Sequence, residues 1–289
     1  METVELESAP SLASLYARAM VAPIVPGGAP ELPDRRLALA GAEVSAGQVA
    51  AYSRVCGFGM RSVAPGTYPH VLAFALHMRL MTERSFPFSV LGLVHIANRI
   101  EVVQPMSAAE PFDVRVWASN LSPHDRGTQF EIEAEASVSG EVAWRSSSTY
   151  LHREKSGNKE KSKSDSSDGA ASLSGGHAVW EVPSDIGRRY AAVSGDRNPI
   201  HLHPLSAKLF GMKAPIAHGM WTKARCLAAL EGELPEAYTV DVRFKLPIFL
   251  PSKVSFDAAP SERGWDFSVV AAKDRKPHLT GDVADFTAG

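Results

Sequence analysis

Cysteine is nearly missing from this 289-residue chain, which holds only Cys56 and Cys226. Two cysteines exclude a disulfide scaffold, and without a C-x-x-C pair they exclude a cysteine-based zinc site. They read as buried thiols in a reducing compartment. No apolar run approaches the roughly 20 residues that span a bilayer. The opening residues, Met-Glu-Thr-Val-Glu, carry no basic segment followed by an apolar one, so no secretory leader is expected. No glycine-rich phosphate loop or dinucleotide fingerprint occurs. Thirty Lys and Arg against 32 Asp and Glu leave a formal net charge of −2. That near-balance excludes a broad basic surface for nucleic acid. What is present is an ordinary globular mix, 45% hydrophobic and 21% charged, in a chain long enough to bury a sizeable core. These bounds suit a cytoplasmic enzyme or binding protein that does not engage membranes.

Residues 153–176 read REKSGNKEKSKSDSSDGAASLSGG. This stretch has almost no large apolar side chain to offset its ordering entropy, and a flexible linker is expected there. It separates an N-terminal unit, 1–152, from a C-terminal unit, 177–289.

The C-terminal unit is the plainer of the two. Met220, Trp221, Ala224, Leu227 and Ala228 make one helical stripe within 215–230. Tyr238, Val240, Val242, Phe244 and Leu246 then alternate with polar residues, as a strand with one buried face does. Further strands are expected through Ala178–Val182, Val254–Phe256 and Trp265–Val269, with an irregular stretch between the first strand and the helix. The N-terminal unit repeats this order. Val71, Phe74, Ala75 and Met78 form the helical stripe, and Val94 to Val102, Phe112 to Val116, Phe130 to Ala134 and Val142 to Trp144 form strands. At an offset of 146 residues, Pro69 falls on Pro215 and Pro105 on Pro251, which suggests an internal duplication. The fold class is α+β: a long helix packed on an antiparallel sheet, twice. Ser11 to Val21 is expected to form a short amphipathic helix capping the first unit, with no function of its own.

The chemistry sits in Tyr190 to Ala207, YAAVSGDRNPIHLHPLSA. Acid–base chemistry on one water takes a proton at one group and returns a proton from another. Two titratable groups must therefore face one small volume. Asp196 and His201 are five residues apart across Asn198-Pro199. Pro199 fixes its own φ and keeps Asn198 out of the helical region. Asn198 can bond the local backbone, Ser194 is the small residue leading into the turn, and Gly195 permits a conformation closed to other residues. Such a turn can aim both side chains at one water. Negative charge that develops in such a reaction needs a donor nearby. Gly219, near the start of the expected helix, offers a backbone N–H at a positive dipole end.

The spaced pattern Tyr190, Val193, Ser194, Gly195, Asp196, Asn198, Pro199, Ile200, His201 and Ala207 resembles the MaoC-like, or hydratase 2, family. Pro215-Ile216-Ala217-His218-Gly219-Met220 and Phe244-Lys245-Leu246-Pro247 extend the resemblance over about 178–260. The whole chain resembles the two-unit (R)-3-hydroxyacyl-thioester dehydratases of the mycobacterial type. The resemblance implies a double hot-dog fold and reversible hydration of trans-2-enoyl-CoA, or the acyl carrier protein thioester, to the (R)-3-hydroxyacyl form. It implies Asp196 and His201 as the catalytic pair and Gly219 as oxyanion donor. No cofactor is implied, since CoA or carrier pantetheine arrives with the substrate. Either a monomer, already a pseudo-dimer, or a homodimer is compatible. Two departures stand out. The family's later polar helix residue falls by count on Cys226–Leu227, which puts the water network in question. Pro251-Ser252-Lys253 replaces a common Pro-Gly-Asp turn.

Other assignments compete. A hot-dog thioesterase would hydrolyse the same substrates, and a non-catalytic acyl-binding protein would only hold them. His201-Leu202-His203 lacks a third ligand at metal spacing, so no metal is expected. His218 is expected to bond the backbone at the start of the helix, and His203 to be structural. Lys208, Lys213 and Arg197 are the cations near the motif. In the N-terminal unit, Tyr52 to Phe58 parallels Tyr190 to Asp196, with Phe58 where the acid would be. One active site per chain is therefore expected. The first unit would shape an acyl tunnel with Phe74, Met78, Leu91 and Leu93.

Overall fold

The computed structural model describes residues 1–21, 29–154 and 176–287. Alternating apolar residues build the strands: Phe112, Val114 and Val116 are buried, and Arg115 between them is exposed. The N-terminal unit runs β1 (Glu2–Leu6), α1 (Leu12–Val21), β2 (Arg35–Ala42), α2 (Ala46–Cys56), α3 (Pro69–Met81), β3 (Leu93–Val102), β4 (Phe112–His124), β5 (Gly127–Val138) and β6 (Glu141–Arg153). The C-terminal unit runs β7 (Gly176–Val182), α4 (Ile186–Ser194), α5 (Pro204–Leu209), α6 (Gly219–Ala229), β8 (Tyr238–Phe244), β9 (Ser252–Ser261), β10 (Gly264–Ala271) and β11 (Pro277–Asp285). Of the expected linker, residues 155–175 lie outside the described residues.

The strands form a single sheet in the order β1-β2-β4-β5-β6-β3-β8-β11-β10-β9-β7. Neighbours are antiparallel except β1 with β2. The two units meet edge to edge at β3 and β8, where Ile100 faces Val240 and Asn98 faces Val242. Helices α3 and α6 are the inner helices, burying Leu76, Met78 and Leu80 on one and Ala224, Cys226 and Leu227 on the other. Fully buried Lys223 ties α6 to the seam, its Nζ donating to Asn98 Oδ1 (2.6 Å), Asn98 O (3.0 Å) and Val240 O (3.1 Å). Those three acceptors match the three protons of an ammonium, which offsets the burial that lowers its pKa. This is the double hot-dog arrangement.

The structure corrects several expectations. Helix α6 starts at Gly219, not residue 215. Ile216 and Ala217 instead pair with the segment before Pro251, Ala217 N donating to Ile248 O at 2.9 Å. Pro69 is thus the first residue of its helix, whereas Pro215 lies outside α6. The prolines coincide in count but not in place. Strand β8 ends at Phe244; Lys245 N and Leu246 N still donate to His278 O (2.9 Å) and Pro277 O (3.1 Å), and Leu246 is exposed, not buried. The stretch between β7 and α6 contains α4 and α5. Alternation in β3 breaks at a bulge between His95 and Ala97, and around Val142 at another opposite Ala136/Ser137. Among the described residues, no helix is long and apolar enough to cross a membrane.

Candidate active site

Helix α4 ends at Ser194, and Gly195 closes it in the left-handed region (φ 74°), donating to Ala191 O at 3.0 Å. The Ser194 hydroxyl bonds back to Tyr190 O (2.8 Å) and accepts the Asp196 N–H (3.2 Å). Asp196 Oδ1 accepts the Asn198 N–H at 3.1 Å, and Asn198 Oδ1 accepts the Ile200 N–H at 3.3 Å. Pro199 opens a 3₁₀ turn ending at His201. Ser194, Gly195, Asn198 and Pro199 thus form one stiff loop carrying both Asp196 and His201.

His201 Nδ1 lies 2.8 Å from Ile216 O. A carbonyl oxygen only accepts, so Nδ1 holds the proton and Nε2 keeps a lone pair when the ring is neutral. Burial pushes the His201 pKa below its usual value, although the Asp196 carboxylate works the other way. His218 caps α6, and its Nε2 donates to the Asp196 backbone oxygen at 3.0 Å, as expected of a residue that bonds the backbone. Burial, then the neighbouring His201, lower its pKa to about 3. Burial alone would raise the Asp196 carboxyl. The two imidazoles, the Tyr16 hydroxyl and the Asn198 N–H outweigh it and hold the pKa below the ordinary carboxylate value. Asp196 therefore stands ionised beside neutral imidazoles at neutral pH.

Gly219 is the first residue of α6, with its N–H among the helix's unpaired amides. A Cβ on Gly219 would stand 2.9 Å from the Phe244 ring, so packing as well as substrate access calls for glycine. One ligand atom each from Asp196, His201 and His218 lie within 4.8 Å of one another. The two rings stack, with planes 24° apart.

A cavity of about 540 Å³ lies at this loop, lined by both units. Asp196, His201, His218 and Gly219 line it, and Phe74, Met78, Leu91 and Leu93 are also on its wall. Thr222, one turn into α6, is also on the wall, along with His70, His95 and Tyr150. Polar groups therefore surround the site although the count fell on Cys226–Leu227, which are buried. The cations on the wall are Arg126, Arg153 and Lys245, not Arg197, Lys208 or Lys213. His203 caps α5 and is exposed. Phe58 follows a left-handed Gly57 (φ 90°), as Asp196 follows Gly195, and borders a separate cavity of about 420 Å³.

Sequence reasoning missed Tyr16. Its hydroxyl donates to Asp196 Oδ1 at 2.5 Å from α1, a helix expected only to cap the first unit.

Comparison with known proteins agrees with this geometry. Residues 176–276 match the MaoC like domain. The chain is 36% identical to 3-hydroxyacyl-thioester dehydratase X of Mycobacterium tuberculosis, over 93% of this chain and 95% of that protein. It is 31% identical to the (R)-specific enoyl-CoA hydratase of Aeromonas caviae, over 35% of this chain and 71% of that one. A crystal structure of HtdX from Mycobacterium tuberculosis superposes with a TM-score of 0.77 at 35% identity, over 87% of this chain and 100% of the other. On its motif, its loop geometry and this near-full-length likeness, the chain belongs to the MaoC-like dehydratase family.

Proposed function

We propose that the protein is a hydro-lyase that interconverts trans-2-enoyl and (R)-3-hydroxyacyl thioesters of CoA or acyl carrier protein. The observation that carries this reading is that an ionised carboxylate, a neutral imidazole and the first residue of a helix line one cavity of about 540 Å³. In hydration, the Asp196–His201 pair holds one water. Its oxygen bonds to Cβ while one member of the pair takes its proton, and electron density moves through Cα to the thioester oxygen. The Gly219 N–H stabilises that oxyanion. A proton returned to Cα completes the addition, so one water is consumed and no electrons leave the system. Dehydration runs the same steps backwards. The reaction calls for no metal or redox cofactor; the pantetheine belongs to the substrate. The N-terminal unit supplies the apolar wall for the acyl chain, leaving one active site per chain. A cytoplasmic location accords with two buried free thiols.

Crotonyl-CoA tests the reading. Loss of enone absorbance without release of free thiol is the expected result. Thiol release would indicate a thioesterase, and binding without either change would indicate an acyl-binding protein.

A further inference from the structure

Helix α1 meets the catalytic loop at two points, 180 residues away in sequence. Leu12 packs where Gly195 has no side chain; a Cβ there would stand 2.3 Å from Leu12 Cδ1. One turn on, Tyr16 reaches Asp196. Leu15 and Ala19 on the same stripe are buried, so the helix is anchored by its apolar face and its tyrosine points into the site cavity. Both donors to the Asp196 carboxylate, the Tyr16 hydroxyl and the Asn198 N–H, fall on Oδ1. Oδ2 accepts no hydrogen bond among the described residues and stands 3.8 Å from His218 Nε2.

We propose that Tyr16 is a positioning residue: its hydroxyl anchors Oδ1 of Asp196, so that Oδ2 is the oxygen presented to water and substrate. The N-terminal helix of the degenerate unit thereby completes the active site of the other unit. A carboxylate held at one oxygen by two donors cannot swing about its χ2, and its charged form is favoured. Burial and the adjacent carboxylate push the Tyr16 pKa up, so the phenol remains a donor at any working pH. The proposal rests on the hydratase reading for its kinetic consequence but not for its electrostatic one.

The test is Tyr16→Phe in the full chain, which keeps the ring and its packing and removes only the hydroxyl. With crotonyl-CoA, kcat is expected to fall about tenfold while KM stays within about threefold, the pattern of a lost orienting contact. Carboxyl ¹³C NMR titration should show the Asp196 pKa rising in the variant. Replacing Asp196 by Ala first should make Tyr16→Phe cost nothing further, because Tyr16 acts through Asp196. An unchanged kcat, an unmoved Asp196 pKa, or losses that multiply in full would each overturn the proposal. Should the wild type fail to hydrate any enoyl thioester, the hydratase reading falls, and the NMR comparison still decides the role of Tyr16.

Discussion

His201 and His218 stack face to face, their ring centroids 3.7 Å apart, and each donates a proton to a backbone carbonyl on a different segment. His201 bonds Ile216, and His218 bonds Asp196 itself. The stack therefore ties the Asp196–His201 loop to the N-terminus of α6. It also disfavours charge on both rings at once, since a second imidazolium would sit directly over the first.

The pH profile follows from that relationship. The base form of the site needs Asp196 ionised and His201 neutral. Both pKa values lie below their ordinary ones, 3.8 and 6.5. Lowering the pH protonates one or the other and removes the lone pair that takes the water's proton. Hydration kcat is expected to stay flat from pH 8 to 6.5 and to fall only on the acid side below that. A rise in kcat on acidification through pH 6 would contradict the assigned protonation states.

Stability carries its own pH signature. His70 and His218 are buried and His95 half-buried, with pKa values lowered to about 4, 3 and 3 from 6.5 in the order His70, His95, His218. Below 6.5 the unfolded chain binds protons that the fold refuses, so stability is complete above 6.5 and drains away as the pH falls towards those folded values. Each such histidine costs about 1.4 kcal/mol per pH unit in that window. His77 adds to the slope, its pKa being lowered by burial and neither ring nitrogen having a hydrogen-bond partner. Urea unfolding of His77→Leu between pH 7 and 5 should show a slope shallower by about 1.4 kcal/mol per unit. An unaltered slope would mean that His77 is protonated in the fold.

Gly219 is constrained from behind. Gly219→Ala pushes a methyl against Phe244 and should cost about 1–3 kcal/mol of stability by overpacking. The displaced first amide of α6 should also lower kcat/KM about tenfold. Adding Phe244→Leu should return most of the lost stability, as measured by the urea midpoint. No recovery would place the strain elsewhere.

The proposed function puts the acyl chain against Phe74, Met78, Leu91 and Leu93 of the N-terminal unit. Leu93→Trp should cut kcat/KM for a twelve-carbon enoyl-CoA at least about tenfold while changing crotonyl-CoA turnover by less than about threefold. Equal losses on both substrates would show that the chain takes another path.

The turn that carries Asp196 and His201 was legible in the sequence because its physics is local. Gly195, Asn198 and Pro199 set the turn within a few residues of the groups they aim. The seam strands were legible because one buried face imposes a period of two. Helices α2 and α4 were harder to see: their stripes run through Tyr52, Ser53 and Cys56, and through Gly187, Tyr190 and Ser194, which carry little apolar signal. The start of α6 was misplaced because Ile216 and Ala217 keep the helical apolar rhythm while serving a strand-like pairing. Tyr16 was out of reach for another reason. Leu12, Leu15, Tyr16 and Ala19 have the spacing of any core-facing stripe, and nothing nearby in sequence marks a tyrosine whose partner lies 180 residues on.

Turnover of crotonyl-CoA by Asp196→Asn and by His201→Ala, each beside the wild type, bears most directly on the account. Both variants should fold, and each should lose at least ~100-fold in kcat. Near-wild-type hydration by either one would contradict the claim that these two side chains share one water.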